Sequence, residues 1–129
     1  SIDYGDKLRE LRIPIDRIFS SPLCRTVETT ITAFDWEKVS VDPFWYEIYL
    51  LHNDLPEHEV LRILETLTLK LEIPPKLGYN NVIIAHSFPD NIGLGHIPDM
   101  GTIVIRPNGQ GEGYEVIAKL TFEDVMNLY

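Results

Sequence analysis

The sequence predicts an α/β fold: a mostly parallel sheet with helices on both faces, a three-layer αβα arrangement. Three observations predict it. Apolar and β-branched runs alternate with segments of helical period along the chain. One run, NVIIA at 81–85, is continuously apolar, the pattern of a strand covered on both faces. A serine–proline step at 21–22 follows another such run, where an N-cap and a first helical residue belong.

The elements follow in order. GDKLREL, residues 5–11, reads as a short helix. IPIDRIFSS holds a β-branched run and predicts a strand over 16–20. Leu23, Val27, Ile31 and Phe34 share one helical face, which predicts an amphipathic helix over 22–34. KVSVD predicts a short strand ended by Pro43. Pro56 opens the next helix, with Val60, Leu61, Leu64, Leu67 and Leu71 at helical spacing until IPP at 73–75 stops it. After a turn at Gly78 comes the 81–85 strand, then a glycine-containing loop over 87–101. TIVIRP and YEVIAK flank NGQGEG, a β-hairpin with a longer loop. Thr121 with Asp124 resembles a capping box for a last short helix. There is no internal repeat, linker or low-complexity tract, so residues 1–129 are read as a single domain.

Composition narrows the function classes. A chain of 129 residues buries roughly two-thirds of its unfolded surface and needs no disulfide or metal staple. The lone Cys24 excludes an internal disulfide and suits a reducing, cytoplasmic setting. No apolar run approaches the roughly 20 residues of a membrane helix, and no signal peptide is evident. The net charge of −9 disfavours nucleic acid and anionic membranes as partners. A small phosphorylated substrate remains compatible, because a few local cations make a pocket inside an acidic surface. The opening, SIDYGDKLREL, has no initiator methionine and no strand before its helix, which is expected of a fragment.

In sheets of this kind ligands bind beyond the carboxyl ends of the strands. Ser20, Ser21 and Arg25 follow the first strand; His86 and Ser87 follow the apolar one. If those strands are parallel neighbours, the five residues share a crevice. A guanidinium fork, an imidazole and a helix N-terminus together suit a phosphoryl group. The alternatives are plain ones. Arg25 could be solvated, His86 a hydrogen-bonded structural group, and Glu47, in PFWYEIY, a surface carboxylate among aromatics. Phe44, Trp45, Tyr46 and Tyr49 could pack in the core or line a pocket wall, in a loop over 43–58.

IDRIFSSPLCRTVETT resembles the second signature of the histidine phosphatase superfamily, the phosphoglycerate mutase-like proteins, in its SPxxR pattern followed by T..T. NVIIAHSFPDNIGLGHIPDMGTIVIRPNGQGEGYEVIAKL resembles the C-terminal half of the same family. The likeness is to a bacterial subgroup and runs over nearly the whole chain. It implies a phosphoglycerate mutase-like fold and hydrolysis of phosphate monoesters through a phosphohistidine. Arg25 would bind the transferred phosphoryl group, and His86 would stabilise its charge. Ser21 and Ser87 would add phosphate contacts, and Glu47 would stand where many members carry the acid that protonates the leaving oxygen. No cofactor or metal is implied; His52, His58 and His96 are left as surface or structural residues.

The family's first strand ends in Arg-His-Gly and supplies the nucleophilic histidine. No Arg-His-Gly occurs in these 129 residues, so the domain is expected to be incomplete, N-terminally truncated and nearly inactive. Losing a covalent nucleophile costs several orders of magnitude in rate. In the family that strand lies beside the one ending at His86, so the backbone of 82–85 is expected to lack a partner on one side. Unpaired buried backbone groups cost about 1–3 kcal/mol each, against a net stability of about 5–15 kcal/mol. Three remedies are expected: another copy's strand, giving a homodimer through exposed edges; closing-up of the remaining strands; or a preceding segment. Two other functions stay open, a non-catalytic phosphate-binding or interaction module and a phosphoglycerate-type mutase.

Overall fold

The computed structural model describes residues 2–23, 29 and 39–129. Helix α1 spans Ile2–Glu10, starting three residues earlier than the heptapeptide at 5–11 suggests. Ion pairs Asp6–Arg9 and Lys7–Glu10 support it at i,i+3 spacing. The turn after it places Arg12 in the left-handed region, with φ 57°.

Strands β1 (Ile15–Ser20), β2 (Val39–Val41) and β3 (Asn80–Ile84) form one parallel sheet in the order β2-β1-β3. Ser20 lies opposite both Val41 and Ile84, so the three carboxyl ends finish level. Two bonds carry the pairing past the strands: Asp42 N–H donates to the Ser20 carbonyl at 2.9 Å, and Ser21 N–H to the Ile84 carbonyl at 3.0 Å. The predicted helix over 22–34, with Arg25 in it, lies outside the described residues apart from its first two positions and Thr29.

Helix α2, Phe44–Leu50, replaces the loop expected over 43–58. Its cause is local. The Asp42 carboxylate accepts from Phe44 N–H at 3.0 Å, and Pro43 already holds φ at −57°. Phe44, Trp45 and Ile48 then fall inward. Helix α3, Glu57–Leu71, starts directly after Pro56 as predicted and buries Ile63, Leu67 and Leu71. Leu61, expected on the buried face, is 51 % exposed, and Ile63 takes the inward place. Burying a side chain of that size contributes about 1.5–3 kcal/mol.

Strands β4 (Thr102–Pro107) and β5 (Tyr114–Leu120) form the expected hairpin, but as a separate antiparallel sheet. The hairpin loop is tied to α3 through Glu72. Its carboxylate, buried at the helix C-cap, accepts from Gly111 N–H at 2.8 Å and Gly113 N–H at 3.0 Å. Both glycines have left-handed φ, 81° and 73°, so a side chain at either would strain the loop. Helix α4, Phe122–Met126, carries the capping box of Thr121 and Asp124.

The hairpin does not join the parallel sheet: among the described residues the three parallel strands form one sheet and the hairpin strands another. Strand β3 packs on both faces but only in part; Val82, Ile83 and Ile84 are half-buried. Strand β3 is an edge of its sheet, and among the described residues no strand pairs with its outer side. The strands have therefore not closed up across β3 and β4.

Side chains alternate across the sheet. Phe19 and Ile83 pack with the cluster of Phe44, Trp45, Ile48, Leu51, Ile63, Leu67, Leu71 and Phe88. Ile18, Val82 and Ile84 pack on the other face with Tyr4 and Leu8 of α1. The molecule is a mixed α/β protein whose parallel strands all point their carboxyl ends at one edge.

Candidate functional site at the strand tips

At that edge β1 runs out through Ser20 and Ser21, β3 runs through Ala85 into His86 and Ser87, and adjacent pairing brings Ser21 to His86. Ser20 and Ser21 are fully buried. The Ser20 hydroxyl donates to the Ser21 carbonyl at 2.9 Å. The Ser21 hydroxyl accepts a long bond from Leu23 N–H, 3.4 Å, and meets His86 Nε2 at 2.7 Å. The helix that Ser21 is expected to cap lies outside the described residues; its hydroxyl engages the histidine.

Tyr49 of α2 meets the His86 ring edge-on, with centroids 5.5 Å apart, and stacks on Tyr46 at 5.9 Å. Three residues on, His52 Nε2 lies 2.7 Å from the Ser87 carbonyl. A carbonyl only accepts, so His52 Nε2 carries the proton. The Ser87 hydroxyl accepts from Ile97 N–H at 2.7 Å. Its own proton faces the Phe88 carbonyl at 3.3 Å or His96 Nδ1 at 3.4 Å. Ser87 therefore fastens the loop after β3 to the 95–97 turn.

Of the residues singled out by sequence, the structure brings Ser21 and His86 into contact and sets Ser87 beside them. Arg25 lies outside the described residues. Glu47 is on α2, but its carboxylate accepts from Arg62 of α3 at 2.7 Å. Arg62 also bonds Glu59 at 3.0 Å. The two hydrogen bonds, that to Glu47 foremost, hold the Arg62 guanidinium protonated beyond its ordinary range. The four aromatics divide: Phe44 and Trp45 are core, whereas Tyr49 lines the strand-tip site with Tyr46 stacked on it.

Tyr49, which the sequence left between core and pocket wall, is at the site; His52, left as a surface or structural residue, is the member that sequence reading missed. Tyr49 lies in the last turn of α2 and His52 in the turn that follows, its N–H bonded to the Tyr49 carbonyl at 3.2 Å, so reading 44–50 as helical from the Asp42–Pro43 start would have set them close together. Beneath them Asp42 anchors α2. Burial opposes its ionisation, but the Lys70 hydrogen bond, the Phe44 N–H and the Lys70 charge outweigh that and hold its carboxyl below the ordinary 3.8.

Among the described residues no three His, Cys, Asp or Glu side chains gather as a metal site, and no helix is long and apolar enough to cross a membrane. A concavity lined by His96, Ile97, Pro98, Thr102, Ile103 and Lys119 lies beside the hairpin and does not include His86. Comparison with protein-family models, curated proteins and solved structures finds no match to this chain.

Proposed function

We propose that the tips of β1 and β3 form an anion pocket for a small phosphorylated molecule or inorganic phosphate, in a protein of the histidine phosphatase kind. The observation that carries this is the contact of Ser21 with His86 at the level ends of two adjacent parallel strands. Such an edge is where open α/β sheets take ligands. Arg25, four residues after Ser21, supplies the fixed cation by sequence position, and the resemblance of SPLCR and IIAHS to the superfamily supplies the chemistry. The three-layer phosphoglycerate mutase-like architecture and a cytoplasmic location belong to the same proposal. So does pairing of the β3 edge with a further strand, from another copy of the chain or from a preceding segment.

His86 stabilises charge on the phosphoryl group, and Arg25 binds its oxygens in a fork. The 129 residues contain no Arg-His-Gly, so by themselves they bind phosphate and turn over monoesters little. That feature also favours a second reading, a binding module that keeps the pocket without the chemistry.

The test combines binding and turnover. Phosphate is expected to raise the melting temperature, and Arg25→Ala and His86→Ala each to abolish the rise. No phosphate effect on the wild-type protein would remove the proposal. Hydrolysis of p-nitrophenyl phosphate at a rate usual for phosphatases, lost in Arg25→Ala, would show that these residues suffice for turnover and would exclude the binding module.

A further inference from the structure

Ser21 stands among the sequence-predicted phosphate contacts, yet its hydroxyl is wholly buried and turned to His86. We infer that Ser21 is a positioning residue: it donates its proton into His86 Nε2 and so fixes the neutral imidazole as its Nδ1–H tautomer. This deepens the reading of the strand tips as an anion pocket and rests on it for its purpose.

The direction of the bond follows from counting donors and acceptors. A serine hydroxyl has one proton to give and two lone pairs. The Ser21 oxygen accepts from Leu23 N–H at 3.4 Å, and its other side-chain contact is His86 Nε2 at 2.7 Å. If Nε2 carried the proton, the oxygen would accept twice and the hydroxyl proton would be buried without an acceptor. Burying an unmatched donor is the costly alternative. Ser21 is wholly buried, so bulk water does not reach that proton. Donation into Nε2 satisfies both groups at once.

Two further contacts keep this arrangement in place. Ser21 N–H is bonded to the Ile84 carbonyl at 3.0 Å, so the backbone that carries the hydroxyl is locked to β3 two residues before His86. Tyr49 meets the imidazole edge-on from α2. The consequence is chemical. A neutral imidazole with its proton on Nδ1 is an N–H donor there, and an anion needs donors. With the proton on Nε2 instead, Nδ1 would present a lone pair, which repels phosphate oxygens. Ser21 thus makes His86 a donor without requiring the imidazolium.

Nitrogen-15 spectra of the histidine side chains in the intact 129-residue protein test this directly. Above the titration of the imidazole, His86 is expected to show a protonated-type Nδ1 and a bare-type Nε2. The reverse pattern in the wild-type protein overturns the inference without any variant. Ser21→Ala is expected to move the tautomer balance toward Nε2–H, and Ser21→Thr, which keeps the hydroxyl, to restore it; an unchanged balance in folded Ser21→Ala also overturns it. Adding inorganic phosphate separates this result from the pocket itself. A wild-type His86 in the Nδ1–H form that ignores phosphate sinks the anion pocket and leaves the proton placement standing; a response to phosphate in the Nε2–H form does the converse.

Discussion

The tips of β1 and β3 both carry a serine, and they use it differently. Ser21 is sealed from solvent, and its hydroxyl addresses a side chain that can do chemistry. Ser87, one residue past His86, addresses backbone: it accepts from Ile97 N–H and leaves His86 to its neighbour. The first serine sets a proton; the second sets a loop. The residue type is the same, but Ser21 directly follows β1 while Ser87 lies beyond His86, and the register delivers a different partner to each. Ser20 pairs level with Ile84, and that places Ser21 across from Ala85 and His86.

The largest expected effect removes the platform under both tips. Ile48 is fully buried in α2, within the core cluster and one residue before Tyr49. Ile48→Ala is expected to cost about 2–5 kcal/mol by the transfer and cavity terms, measured by denaturant unfolding. A loss under 1 kcal/mol would mean that α2 is not packed as described.

Next comes the comparison itself. Ser87→Ala takes the acceptor from Ile97 N–H and is expected to cost about 1–2 kcal/mol, with the His86 tautomer unchanged. Ser21→Ala must move that tautomer. If Ser87→Ala shifts the His86 nitrogen signals as far as Ser21→Ala does, the division of labour between the two serines is wrong.

Asp42→Asn is a smaller lever, and it depends on pH. The folded carboxyl is held below its ordinary 3.8, so the charged form favours the folded state. Its contribution is complete above that ordinary value and is lost as pH falls through the lower folded one. The variant keeps an oxygen for Phe44 N–H and loses the Lys70 ion pair, so it should be about 0.2–1 kcal/mol less stable near neutral pH, with the gap closing in acid. A gap that widens on acidification would contradict the Lys70 and Phe44 contacts. The smallest expected effect is that of Glu47→Gln. Its partner Arg62 is well solvated and retains Glu59, so stability and phosphate binding should hardly change. A clear loss of phosphate binding in that variant would return Glu47 to the site.

Much of the fold was legible because it is written locally. The β-branched run before Ser21, the apolar run before His86, Pro56 ahead of α3, NGQGEG between β4 and β5, and the Thr121–Asp124 pair each announce themselves within a few residues. Helix α2 was hidden because aromatics crowd its sequence and blur the period, while the signal that starts it is a single carboxylate two residues upstream. The split of the strands into two sheets was not legible, since pairing across the chain leaves no local trace. The same holds at the site. The meeting of Ser21 and His86 could be expected from two strand ends, whereas the capture of Glu47 by Arg62, 15 residues away, depends on how α2 and α3 lie together.

The central claim is that the strand tips converge on one anion. The most direct measurement is a titration with inorganic phosphate that follows the imidazole resonances of His86, in the wild-type protein and in Arg25→Ala. A saturable shift of His86, weakened about tenfold or more by loss of the charged hydrogen bonds of Arg25, is the predicted result. A His86 that does not respond, or an affinity indifferent to Arg25, would contradict it.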